Sequence, residues 1–129
     1  MREDLTMPKL NTHDAPDALT LDGYEGHFGE LGEFTVGFET YTADADLTDL
    51  FKGLPDDRCQ CPHWGVVLEG RLTYTHDGGQ TVVEAGEAYY VPPGHLPFLH
   101  AGTRVIEFSP TEELAATLEV VEKNMAEQG

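Results

Sequence analysis

Between Leu19 and Glu107 the sequence is cut at short intervals by glycine and proline signals, among them EG, DGG, EAGE, PPG and AG. What lies between them is a set of short extended runs, roughly 19–24, 33–40, 63–69, 71–76, 80–84, 88–92 and 103–108. Breaks this frequent exclude a helical core, because an amphipathic stripe needs about ten uninterrupted residues. Seven or more short antiparallel strands predict an all-β domain, either a closed barrel or a β-sandwich. In both architectures alternate side chains face inward. The 129 residues suffice for one core that is stable without disulfides. Residues 1–18, polar and interrupted by Pro8 and Pro16, read as a flexible N-terminal arm, and 19–108 as the barrel. The segment DADLTDLFKG has room for one helical turn.

The last segment changes period. In SPTEELAATLEVVEKNMAEQG, Ser109 is placed as N-cap, Pro110 at the first helical position and Glu112 at the third. Leu114, Leu118, Val121 and Met125 recur at helical spacing. The reading is an amphipathic C-terminal α-helix over 109–128, its stripe against the outside of the sheet or a second subunit. An arm at one end and such a helix at the other are devices that cover sheet edges, so a homodimer is expected.

Charge narrows the partners. Against 24 acidic residues stand 7 basic ones, a formal net charge of -17. No Lys/Arg cluster is present to neutralise phosphates, which argues against nucleic acid and against an anionic membrane surface. No run is long and apolar enough to span a bilayer, and MREDLTMPKL has no apolar signal core, so a cytoplasmic protein is expected.

Both cysteines and the single tryptophan fall in CQCPHWG, residues 59–65. In an extended chain Cys59 and Cys61 lie well over about 6 Å apart, beyond comfortable disulfide reach. If extension holds through 59–69, Cys59, Cys61 and His63 share one face, while Trp64, Val66 and Leu68 share the other. Trp64 would then be covered by the helix or a dimer contact. Two thiols and an imidazole suit a divalent metal of zinc or iron type rather than magnesium or calcium. A further donor is expected from His95, which follows the stiff PPG turn, with His100 as second choice. His13, His27 and His76 read as solvent-facing, in the arm, a turn and a hairpin end, and Glu107 reads as a solvent-facing carboxylate ahead of a buried one. A small-molecule pocket is drawn from Tyr74, Tyr89, Phe98, His100 and Phe108.

The stretch GEAYYVPPG, with Gly86, Pro92 and Gly94, resembles the second motif of the cupins in residue type and spacing. Gly70 in VVLEG resembles the glycine that closes their first motif. The resemblance covers about 59–108 by motif and implies a cupin-type β-barrel, also called a jelly roll or double-stranded β-helix, commonly paired as a dimer. It does not carry over the family's three-histidine, one-glutamate metal site. Counting back from Gly70, His63 stands at the glutamate position, Cys59 at the second histidine and Asp57 at the first, and Pro97 stands at the histidine of the second motif. The site is either lost or rebuilt from Cys59, Cys61, His63 and His95, with zinc ahead of iron or nickel because iron-bound thiolates oxidise. Family activities range over dioxygenases, isomerases, decarboxylases, small-molecule binding and transcriptional sensing, and fold alone does not choose among them. Two functions are carried forward: a metal-binding cupin that binds or transforms a small organic molecule, and a binding or sensing cupin without metal.

Overall fold

A computed structural model describes residues 7–128. Within them ten strands precede one helix: β1 (Asp17–Leu21), β2 (Tyr24–Leu31), β3 (Phe34–Tyr41), β4 (Ala45–Asp46), β5 (His63–Glu69), β6 (Arg71–His76), β7 (Gly79–Glu84), β8 (Ala88–Val91), β9 (Leu96–Leu99), β10 (Thr103–Pro110) and α1 (Thr111–Gln128). They form two antiparallel sheets, a six-stranded one in the order β1-β2-β3-β10-β5-β8 and a four-stranded one in the order β4-β9-β6-β7. No ladder joins the two among the described residues, so the closed barrel expected from the sequence is instead a pair of facing sheets.

The core lies between them. Tyr41, Val67 and Val105 of the larger sheet meet Leu72, Tyr74, Val83 and Leu99 of the smaller one. Each fully buried aliphatic side chain there contributes about 2 kcal/mol of transfer free energy. The β5–β6 connection shows why the motif glycine is needed. Gly70 has φ +77, and a Cβ on it would collide with the Thr103 hydroxyl and lie 2.8 Å from the Gly102 carbonyl.

The helix is not laid on the outside of a sheet. Its Val121 joins Leu50, Phe51, Cys59 and Cys61 in a second apolar cluster, and the Asn124 amide donates to the carbonyls of Leu50 and Lys52, both at 2.8 Å. Leu50 and Phe51 sit in a short 3-10 turn, Thr48–Phe51, where one helical turn was expected. The stripe therefore covers an end of the sandwich. Ser109 is not its cap: β10 runs on to Pro110, and the Ser109 hydroxyl is used inside the fold.

The expected arm runs into a strand that begins at Asp17, and its Met1–Thr6 part lies outside the described residues. Within 7–16, Asn11 and Asp14 form a turn in which the Asn11 side chain accepts from the His13 and Asp14 amides. Leu10 and Pro16 press against Gly29, and Ala15 is buried. His27, read as a turn residue, lies within β2, its ring 2.6 Å from Glu25. Among the described residues no helix is long and apolar enough to cross a membrane.

Candidate metal centre

Pro62 has no N–H, so β5 begins after it, at His63, and the period-two pattern does not reach back to the cysteines. From His63 onward the alternation holds. His63 and Val67 face inward and are buried; Trp64 and Leu68 face outward and are exposed. Cys59 reaches the interior by another route. It forms an isolated antiparallel bridge with His95, in which the Cys59 amide donates to the His95 carbonyl at 2.9 Å and the His95 amide donates back to the Cys59 carbonyl at 3.2 Å, a carbonyl that also accepts from the Gly94 amide at 2.8 Å. Gly94, at φ +91, permits the turn that aims His95 inward.

The result is a buried group of three donors. Ligand atoms of Cys59, His63 and His95 all lie within 4.8 Å of one another. The Cys59 sulfur is 3.7 Å from His63 Nε2, and the two imidazole rings are 5.0 Å apart centre to centre. Each ring is held at its other nitrogen. His95 Nδ1 donates to the Pro92 carbonyl at 2.7 Å, which leaves the Nε2 lone pair free. His63 Nδ1 lies 2.7 Å from the Ser109 hydroxyl. Orienting contacts on the far nitrogen are what a metal-bound histidine requires. Burial, followed by the neighbouring His63, lowers the His95 pKa to about 4, so its imidazole is neutral at physiological pH. Burial pushes the Cys59 thiol up to about 12 in the ion-free protein, and a bound divalent ion would reverse that preference for the protonated form.

Beside this group lies a polar cluster that the sequence did not reveal as a unit. Glu107 is inward rather than solvent-facing, because it shares the β10 face with the buried Val105 and Ser109. Its carboxylate accepts from the Tyr74 and Tyr89 hydroxyls, each at 2.6 Å, and lies 4.0 Å from His63 Nδ1. Across the interior, Glu39 on β3 accepts from Tyr24 and, at 3.4 Å, from Tyr41. Burial, with Glu107 as the next cause, raises the Glu39 pKa to about 8. The donors, Glu39, Glu107 and Tyr74 all border one cavity of about 130 Å³, its other walls largely apolar and one side formed by Leu114, Leu118 and Val121 of α1.

The remaining candidates fall elsewhere. Cys61 is fully buried but outside the donor group, its thiol donating to the Pro62 carbonyl at 3.4 Å among Leu50, Phe51 and Val121. Tyr89 is partly buried against the core and reaches the site through Glu107 and through its packing on Tyr74. Phe108 points outward, one strand over from Trp64. Phe98 and His100 belong to a separate shallow groove on the smaller sheet, where the His100 ring lies 2.8 Å from the Thr73 hydroxyl. Trp64 is neither under the helix nor buried. It is 41% exposed and packs against Tyr90 and Phe34 on the outer face.

Glu39, Tyr24, Tyr41 and Ser109 were missed as site residues. Alternation in FTVGFETY puts Thr35, Gly37, Glu39 and Tyr41 on one face, and a carboxylate on the face of a buried tyrosine was the available signal.

Residues 60–102 match the family described as Cupin domain. No curated protein matches the chain. Among solved structures, a protein of unknown function from Rhizobium leguminosarum bv. viciae is 24% identical, with 81% of this chain and 96% of that one covered and a TM-score of 0.56. KdgF from Halomonas sp. is 15% identical over 81% of this chain and 94% of its own, also at 0.56. The polyketide cyclase RemF from Streptomyces resistomycificus is 15% identical, with coverages of 81% and 80% and the same TM-score. At these identities the likeness is one of fold. The chain therefore resembles the cupins, by the family match over residues 60–102 and by its fold, that of a single small β-rich domain.

Proposed function

We propose that the protein is a metal-binding cupin, with zinc as the resident ion ahead of iron or nickel, and that its cavity binds or transforms a small organic molecule. The meeting of Cys59, His63 and His95 within 4.8 Å carries this reading. One thiolate and two imidazoles are a donor set that zinc accepts readily, and three protein donors leave a position for water or a ligand oxygen. There a bound ion would supply Lewis-acid polarisation. The chain's own residues supply the rest. Pro92 and Ser109 fix the two rings, Tyr74 and Tyr89 hold Glu107 beside His63, and the apolar walls limit water.

Elemental analysis of protein made without a polyhistidine tag tests the reading. Close to one metal per chain is expected, and a content below about 0.2 after growth with zinc and iron would sink it. His63→Ala should lower the content. His27→Ala and His76→Ala should not, since those rings are engaged with Glu25 and Thr81 away from the cavity.

A binding or sensing cupin without metal is the second reading. One observation favours it: with its thiol protonated and both Nδ1 atoms partnered, the cluster is already stable as a hydrogen-bonded core. The same analysis separates the two.

The reading includes a cytoplasmic homodimer. Two buried free thiols suit a reducing compartment. The dimer is supported by the outward row of Phe34, Phe108, Trp64 and Tyr90, which lies across four adjacent strands. On a chain of net charge -17, this uncharged row is where a second copy of the chain can dock without bringing carboxylates together.

A further inference from the structure

We propose that the cavity selects an uncharged, mostly apolar molecule of about one ring in size that carries a carbonyl or hydroxyl oxygen, and that Glu39 is the residue recognising that oxygen. The inference deepens the ligand-binding part of the proposed function and rests on it. Three observations carry it. First, size: about 130 Å³ is close to the volume of engineered apolar cavities that hold a benzene ring. Second, charge: among the described residues no Lys or Arg lines the space, while Glu39 and Glu107 both do. A ligand carboxylate or phosphate would enter beside Glu107 with no cation to neutralise it, a costly burial. A divalent ion held by the Cys59 thiolate and two imidazoles would bring one net positive charge, already faced by the Glu107 carboxyl beside His63. Third, hydrogen-bonding capacity: Glu39 receives Tyr24 and Tyr41 from its own side of the sandwich and borders the cavity on the other. Its pKa near 8 makes it an O–H donor at neutral pH, the group that a ketone, amide or alcohol oxygen can satisfy. The ring of the ligand would then lie against Leu19, Phe28, Leu47 and Leu118.

Cyclohexanone and cyclohexanecarboxylate, equal in ring and opposite in charge, are the probes. Their affinities are measured by calorimetric or NMR titration near pH 6, on metal-loaded and on chelator-treated protein. The ketone is expected to bind at least tenfold more tightly than the carboxylate in both forms. Glu39→Leu should weaken the ketone about tenfold, the loss of one buried hydrogen bond, whereas Glu39→Gln, which keeps an N–H donor, should stay within about threefold. Thermal melts of both variants check that they fold. Equal or tighter binding of the carboxylate, an unchanged ketone affinity in Glu39→Leu, or no ketone binding up to about 20 mM would each overturn the proposal. Failure of the metal reading is a separate result. Ketone selectivity in protein that never holds metal would remove the metal centre and leave this inference standing. Carboxylate binding confined to metal-loaded protein would do the reverse.

Discussion

Replacing Glu39 by glutamine should stabilise the metal-free protein, by an amount that grows with pH. The carboxyl titrates at about 8 when folded, against 4.5 as its ordinary value. Below 4.5 it is protonated in both states and contributes no pH dependence. Between 4.5 and 8 the unfolded chain releases the proton and the folded one keeps it, so stability falls as pH rises; above 8 both are ionised and the loss levels off. At about 1.4 kcal/mol per pH unit, the wild type forfeits about 3 kcal/mol by pH 7 and about 4 kcal/mol by pH 8. The amide of the Glu39→Gln variant would carry no such term, yet it can keep both contacts, its carbonyl accepting from one tyrosine hydroxyl and its N–H donating to the other. Titrating groups remote from Glu39 are shared by the two proteins and cancel in the difference; Glu107, which interacts with it, does not. The assay is urea unfolding of both proteins across that pH range at constant salt, after removal of metal. The variant should match the wild type within about 1 kcal/mol at the acid end and lead by about 3 kcal/mol at neutrality. A difference that stays flat with pH, or a variant less stable at the alkaline end, would refute the placement of Glu39 as a buried neutral acid.

The two cysteines should separate cleanly. Cys59→Ser is expected to lose most bound metal, while Cys61→Ala keeps it and loses about 1–2 kcal/mol of stability through the small void left among Leu50, Phe51 and Val121; metal loss from both would contradict the donor assignment. Light scattering at low and high salt should give twice the single-chain mass, and Trp64→Lys should halve it without changing metal content. A single-chain mass for the wild type even at high salt, where the charge is screened, would exclude the dimer.

Where glycine marked a turn the strand pattern was legible, and where glycine served packing it misled. The sequence YEGHFGEL lies wholly within β2, yet its two glycines read as breaks. A Cβ on Gly26 would fall 2.6 Å from the Tyr24 hydroxyl oxygen, and one on Gly29 would collide with Leu10. These are strand glycines that admit a neighbour's side chain, and at Gly29 that neighbour is distant in sequence, so no local reading reveals it. β9 hid for a similar reason, since Pro97 demotes LPFL to a loop when read alone. β5, with no such interruption, gave its facing correctly: His63 in, Trp64 out. The error over Cys61 came from extending that alternation past Pro62, where the backbone has no ladder to enforce it.

The carboxyls of Glu39 and Glu107 show the same limit at the site. Each strand displays its alternation, but which face is inward follows from the pairing of β10 between β3 and β5, which places both carboxyls in the interior. Their presence there is also an argument about purpose. A domain selected for stability alone would carry an apolar side chain in place of Glu39, because a carboxyl whose burial raises its pKa to about 8 lowers stability at neutral pH. Local inconsistency of this kind gathers at functional sites. Here it gathers in the cavity that also receives Cys59, His63 and His95, three donors drawn from separate parts of the chain. A structural core would need neither feature, and a binding site for an ion and an uncharged ligand uses both.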